Sequence, residues 1–324
     1  MSDLSKIKSP IENELKEFQT FFKSLMKNDV RLLNIIIRYI LRQKGKQLRP
    51  ILVLLTAKLL GEINKSTYIG ATMVELMHTA TLVHDDVVDN ADKRRGMFSI
   101  NALWKNKIAV LLGDYLLSRG LLISVENEEF DFLREISNTV KQMSEGELLQ
   151  IEKSRKLDIN ENIYYEIIKK KTAVLLSACT VLGAKSVNAT TEQIEQIREL
   201  GENLGMAFQI KDDLFDLQRI NNTGKTSGND LQEKKITLPL IYSLQNSTDK
   251  QKKQILRIVG KNKKSKQDIE QITNFIIEKK GIEYATKIMN NYTKKSQEII
   301  NNFPDSKAKE SFKLLINYIT SRKK

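Results

Sequence analysis

Apolar residues recur at intervals of three and four along nearly the whole chain, the period of a helix with a buried face. Leu32, Ile35, Ile36 and Ile40 form one such stripe; Leu52, Leu55, Leu59 and Leu60 form a second; Ile194, Ile197, Leu200 and Leu204 form a third. No strand-like alternation of useful length interrupts them. The spacing predicts helices near 11–26, 29–43, 50–60, 66–89, 98–105, 107–126, 129–153, 160–183, 191–217, 237–246, 249–259, 266–278, 281–300 and 306–322. Pro50 suits a first helical position, and Gly61, Gly183 and Gly224 suit helix ends. Central helices are apolar on more than one face, as helices surrounded by others should be. Beyond about residue 246 the chain is more polar, with KNKKSK at 261–266 as an exposed loop. With no fixed repeat and no long linker, 1–324 reads as one all-α domain.

Two apolar helical stretches close on aspartates: Asp85-Asp86-Val87-Val88-Asp89 and Asp212-Asp213-Leu214-Phe215-Asp216. Residues four apart share a helix face, so Asp85 lies over Asp89 and Asp212 over Asp216, with Asp86 and Asp213 three residues from the last member. Like charges so placed repel by roughly 0.2–0.5 kcal/mol per pair, so stability alone would not select the pattern twice. A hard divalent cation would. Mg²⁺ takes one or two carboxylates, keeps several waters and shares its other positions with substrate phosphates. The two motifs read as two Mg²⁺-carrying walls for one diphosphate.

Composition narrows the alternatives. A formal charge of +13 suggests anionic partners. Many of the lysines, however, crowd into the last 80 residues and read as solvated helix faces. The few aromatics do not interleave with basic residues, so nucleic-acid stacking has no platform. Cys179, the single cysteine, sits in the apolar run AVLLSACTVLG and reads as a buried thiol. The start, MSDLSKIKSP, does not resemble a signal peptide, and no uninterrupted apolar run approaches the roughly 20 residues of a membrane span. A soluble, cytoplasmic protein is expected.

Basic residues flank both motifs. His78 lies two turns before Asp85, and Arg94 and Arg95 follow the motif with guanidinium groups suited to phosphate. Lys46 and Arg49 precede Pro50, where a helix N-terminus would favour an anion. Gln209 shares the face of Asp212, and Lys225 and Lys235 follow the second motif. Lys171-Thr172 heads an apolar helix, where ordinary surface lysines are the competing reading. The GKT at 224–226 is not a P-loop: position 219 is Arg219 where glycine is required, and no strand precedes it.

In this order (GKQLRP, LVHDDVVDNADKRRG, LLGDYLLSRG, Lys171-Thr172, GMAFQIKDDLFD, then GK and KITLP), the motifs resemble those of the trans-isoprenyl diphosphate synthases of the polyprenyl synthetase family, over about residues 40–245. The resemblance implies an all-α helical bundle of the isoprenoid synthase type and a homodimer. It implies that Asp85, Asp86, Asp89, Asp212 and Asp216 hold Mg²⁺, with Asp213 supporting them. Arg94, Lys171, Lys225 and Lys235 would hold the allylic diphosphate (farnesyl or geranyl diphosphate). Lys46, Arg49, His78 and Arg95 would hold isopentenyl diphosphate, and Thr172 and Gln209 would face an allylic cation.

The family's product grows along the helix of the first motif. Ala80 and Thr81 stand where short-chain members commonly carry an aromatic ring. Met77 and Met73 lie deeper, about 12 and 18 Å below Asp85 at the helical rise. Small residues at the near position point to a long, octaprenyl-like product serving as a quinone side-chain precursor, with Phe132, Ile136 and Met143 as alternative floors. Geranylgeranyl diphosphate is the competing product, and membrane contact during product release stays open. A terpene cyclase would lack the second DDxxD, a regulatory subunit would lose one motif, and a nucleic-acid-binding protein would explain neither.

Overall fold

The structure, a computed structural model, describes residues 3–42, 45–94, 96–223 and 229–321. They form α1 (Asp3–Lys8), a 3-10 turn (Ser9–Ile11), α2 (Glu12–Leu25), α3 (Arg31–Arg42), α4 (Leu48–Leu60) and α5 (Lys65–Val88). A two-stranded antiparallel hairpin, β1 (Lys93–Arg94) and β2 (Met97–Phe98), leads to α6 (Ile100–Glu126), α7 (Phe130–Lys156) and α8 (Glu161–Ile168). After a π-helical turn (Lys169–Ala173) come α9 (Val174–Ser186), α10 (Thr191–Thr223) and the short α11 (Asn229–Gln232). The chain ends with α12 (Leu238–Gln245), α13 (Asp249–Val259), α14 (Lys266–Glu278), α15 (Gly281–Asn301) and α16 (Lys307–Ser321). The all-α reading holds.

Most helix starts follow from local chemistry. Asn64 caps α5 by accepting from the Thr67 amide, while the Thr67 hydroxyl accepts from the Asn64 amide. Thr248 with Gln251 and Ser265 with Asp268 build the same reciprocal boxes on α13 and α14. Bonds from Lys261 and Ser265 hold the Asp268 carboxyl down at about 2.

Four details depart from the sequence reading. Helix α4 starts at Leu48, so Pro50 is its third residue, where a missing amide still costs no intrahelical bond. Gly183 lies inside α9 and serves packing: a Cβ there would fall 2.4 Å from the Val53 carbonyl. Lys264 of the 261–266 loop is buried, donating to the Lys261 carbonyl at 3.0 Å, and burial lowers its pKa. The stretch 160–183 is not one regular helix but is interrupted by the π turn. Gly61 does end α4, whereas Gly224 lies outside the described residues.

The chain divides into two compact units. Unit 1 comprises Met1–Val140, Leu176–Arg198 and Phe303–Phe312; unit 2 comprises Lys141–Leu175, Glu199–Asn302 and Lys313–Lys324. In unit 1, α5 packs along α4 and α6, and Arg198 pairs with Glu135 at 2.7 Å. Cys179 is fully enclosed there, and burial pushes its thiol up to about 12. A thiol-specific reagent at pH 8 should therefore leave folded protein unlabelled and modify Cys179 only in denaturant; labelling of the folded state would contradict this packing. In unit 2, the core gathers Ile210, Leu214 and Leu217 of α10 with Leu240 and Ile241 of α12, Ile272 and Ile276 of α14, and Ala285 of α15.

Among the described residues, one helix, Ile100–Glu126, is long and apolar enough by length and composition to cross a membrane. Its backbone leaves helical geometry at Lys105 (φ 71°, ψ 162°), the break expected between 98–105 and 107–126. Asp114 and Arg119 also interrupt its apolar run.

Candidate active site

In unit 1 the first motif occupies the last turn of α5. Asp89 is the C-cap, and its amide donates to the Asp85 carbonyl at 2.8 Å, so the expected shared face exists. This end of a helix carries partial negative charge, and three carboxylates there are mutually unfavourable without a cation. Asp85 is half-buried and Asp89 exposed. Asp86 is buried and its Oδ1 accepts from Arg94 Nε and Nη2 at 2.8 and 2.7 Å. Arg94, on β1, thus compensates the buried carboxylate within the motif. Arg95 lies outside the described residues.

His78, Ala80, Met77, Met73 and Ile136 are all buried, and the Thr81 hydroxyl donates back to the His78 carbonyl at 2.9 Å. Phe132 packs on Gly70 of α5, its ring 3.3 Å from where a Cβ would sit. Lys46 is exposed before α4, and Arg49 is half-buried in its first turn. The sequence reading missed His84. Its ring fills the notch above Gly113 of α6, with Nε2 3.3 Å from the Val110 carbonyl, seating the residue before the motif.

In unit 2 the second motif lies within α10, and the π turn carries Lys171 and Thr172 to its side. Glycines permit both approaches to that turn. A Cβ on Gly205 of α10 would fall 2.4 Å from Ala173 Cα, and one on Gly146 of α7 3.0 Å from the Lys171 amide. Thr172 donates to Gln209 Oε1 at 2.7 Å, and Gln209 Nε2 donates to Asp213 Oδ1 at 2.9 Å. The other oxygen of Asp213 accepts from the Tyr164 hydroxyl at 2.7 Å. Lys171 pairs with Glu147 of α7. The Asp230 amide donates to Asp216 Oδ2 at 3.1 Å, and Lys235 pairs with Glu233 and, at 3.7 Å, with Asp230. Lys225 lies outside the described residues.

A polyprenyl synthetase family model matches residues 30–276. Over 302 residues, 93% of this chain and 92% of the relative, the sequence is 34% identical to an all-trans-nonaprenyl-diphosphate synthase (geranyl-diphosphate specific) of Rhodobacter capsulatus. The chain belongs to the polyprenyl synthetase family. Its structure is similar to a polyprenyl synthase from Caulobacter crescentus complexed with calcium and isoprenyl diphosphate, with a TM-score of 0.90 at 30% identity over 99% of this chain and 98% of that one. It is also similar to a geranylgeranyl pyrophosphate synthase from Bacteroides thetaiotaomicron, with a TM-score of 0.85 at 36% identity over 99% and 100%. The protein is a prenyltransferase with the all-helical isoprenoid synthase fold.

Burial and like charge act on the acids around the second motif of this prenyltransferase. Asp213 is pushed up to about 7, by burial first and then by Asp230, against bonds from Tyr164 and Gln209 that lower it. Asp230 is pushed up to about 6 by burial and, among its neighbours, by Asp216 and Glu233, while Lys235 and Lys171 lower it. Burial is the main cause in both, and neighbouring carboxylates add to it. Among the described residues no three His, Cys, Asp or Glu side chains converge as a ready-made metal cage. Asp230, Glu147 and Tyr164 were missed by sequence reasoning. Only Asp230 left a trace there, as one acid in the stretch after the motif.

Proposed function

We propose that this prenyltransferase joins isopentenyl diphosphate head to tail to an allylic diphosphate, with Mg²⁺ as cofactor, and extends it to a long all-trans polyprenyl diphosphate. The carrying observation is the group of Asp213, Asp216 and Asp230, in which the Asp230 amide donates to Asp216 Oδ2, with the hydrogen-bonded pair Thr172 and Gln209 joined to Asp213 beside it. Asp85, Asp86, Asp89, Asp212 and Asp216 would hold Mg²⁺, with Asp213 braced from behind. Bound there, Mg²⁺ supplies Lewis-acid neutralisation of charge on a departing diphosphate.

This chain's own groups account for the rest. Arg94, Lys171, Lys225 and Lys235 hold the allylic diphosphate, and Lys46, Arg49, His78 and Arg95 hold isopentenyl diphosphate. The Thr172 hydroxyl spends its proton on Gln209, which leaves both side chains presenting oxygen lone pairs to positive charge. The allylic C–O bond breaks with its electron pair going to diphosphate; the isopentenyl double bond attacks the cation, and the released diphosphate takes the proton. No protein nucleophile is required, in keeping with the buried Cys179.

Chain length rests on α5. Ala80 and Thr81 put no ring one turn before Asp85, which supports a long product; likeness to a geranylgeranyl synthase favours the second, shorter reading. The test incubates purified protein with Mg²⁺, farnesyl diphosphate and labelled isopentenyl diphosphate and resolves products by length. A ladder ending at one long product supports the proposal, and arrest after one addition selects the shorter reading. Ala80→Phe should shorten the product. An unchanged length would move the floor to Phe132, Ile136 or Met143. A second copy of the chain is the proposed partner, covering Val110, Leu111, Leu122 and Val125, which α6 exposes.

A further inference from the structure

Gln209 can help a cation only if its carbonyl oxygen, not its NH₂, points at the reacting carbon. The two ends of a primary amide have nearly the same shape, so packing alone hardly distinguishes them; hydrogen-bond partners must. Here the partner is Asp213. Its Oδ1 accepts from Gln209 Nε2 at 2.9 Å, which turns Oε1 toward Thr172, 2.7 Å away. Asp213 can impose that choice only while its own carboxylate is held in place.

The residue that holds it is Tyr164. Its hydroxyl donates to Asp213 Oδ2 at 2.7 Å, so each carboxylate oxygen has its own donor and the group cannot rotate without losing one. Tyr164 is itself fixed. It is 4% exposed on α8, packed in the apolar core that includes Ile168, Ile210 and Leu214, with its ring edge-on to Tyr165 at 5.7 Å. A phenol has little freedom when so enclosed, and its O–H points at one acceptor. All four groups, Tyr164, Asp213, Gln209 and Thr172, lie in unit 2, in one uninterrupted line of hydrogen bonds.

We propose that Tyr164 is a positioning residue for the condensation: through Asp213 it fixes the orientation of the Gln209 amide, and so the oxygen offered to the allylic cation. This rests on the reading of Thr172 and Gln209 given above. It assigns a role in the reaction to a residue that would touch neither substrate nor metal, and that otherwise passes for an ordinary core tyrosine.

Because the amide would matter only once positive charge develops, loss of the phenol should act on turnover and not on binding. Tyr164→Phe removes one oxygen and keeps the ring. Its kcat should fall at least tenfold, with KM for both diphosphates and the half-saturating Mg²⁺ within twofold of the unaltered enzyme. The deciding comparison is made in a Gln209→Ala background. If Tyr164 acts through Gln209, adding Tyr164→Phe there lowers kcat no further, whereas a general structural effect repeats its full factor.

Unchanged kcat in Tyr164→Phe, or an equal drop in both backgrounds, overturns the proposal. If Tyr164→Phe does not fold, as judged by its thermal transition, Asp213→Asn takes its place. That variant must show the same loss of kcat and the same lack of further effect in Gln209→Ala, and additive losses overturn the proposal. The unaltered enzyme is assayed alongside. Its failure to condense would refute the proposed function itself, while its activity beside an unaffected Tyr164→Phe refutes only the role of Tyr164.

Discussion

Asp85→Ala and Asp212→Ala should each lower the condensation rate by about a thousandfold or more while leaving the fold intact. The size follows from the role proposed for them. A metal-held diphosphate gains several kcal/mol of charge stabilisation as it leaves, and each 1.36 kcal/mol is worth tenfold in rate. The stability side has the opposite sign. Asp85 lies in the last turn of α5 among Asp86 and Asp89, where its charge opposes the helix dipole by roughly 0.3–1 kcal/mol. It also repels its neighbours by roughly 0.2–0.5 kcal/mol per pair. Without Mg²⁺, Asp85→Ala should keep a cooperative melting transition and its helical content. Turnover kept within tenfold in either variant would remove that motif from the metal site. A collapsed melting transition would mean that the aspartate serves the fold.

Gly205→Ala should damage stability and rate together. Alanine normally favours a helix over glycine by about 1 kcal/mol. At this position the added methyl would lie 2.4 Å from Ala173 Cα and 2.8 Å from its Cβ, against backbone that cannot swing aside. Overpacking of this kind costs about 1–3 kcal/mol, enough to cancel the propensity gain or exceed it. The movement that relieves the clash parts α10 from the π turn, and the 2.7 Å Thr172–Gln209 bond spans that same contact. A displacement near 1 Å at reacting groups costs roughly a hundredfold. Activity should therefore fall by that order, and the melting temperature should drop with it. Thermal scans and initial rates on the purified variant check both, and full activity would show that the turn tolerates displacement.

These two sites differ in how much of them the sequence disclosed. The aspartate motifs stand out in the sequence because their pattern is local: carboxylates three and four residues apart share one helix face and repel there. Helix positions were legible for a similar reason, since apolar period and caps such as Ser265 with Asp268 are written within a few residues. What escaped depends on distant neighbours. Tyr164 and Asp213 are 49 residues apart, and nothing near Tyr164 in the chain marks it as other than core. Gly183 looked like a helix end because nothing local announces the Val53 carbonyl it packs against. Lys170, Lys171 and Thr172 followed a helical pattern, yet the turn there is π-helical and is approached closely by Gly146 and Gly205. Lys264 belonged to a basic run that reads as solvent-facing, yet Gln232 grips its backbone through both the amide and the carbonyl.

As proposed above, this prenyltransferase condenses diphosphates with Mg²⁺ held by its aspartates. The most direct measurement is the initial rate of condensation of isopentenyl diphosphate with farnesyl diphosphate, by metal-free protein, as Mg²⁺ is titrated in and then removed with EDTA. No product is expected without metal, with a rate that rises to saturation as Mg²⁺ is added and full loss on chelation while the helical fold persists. Condensation that continues in EDTA, or folded protein that makes no product at saturating Mg²⁺, would contradict it.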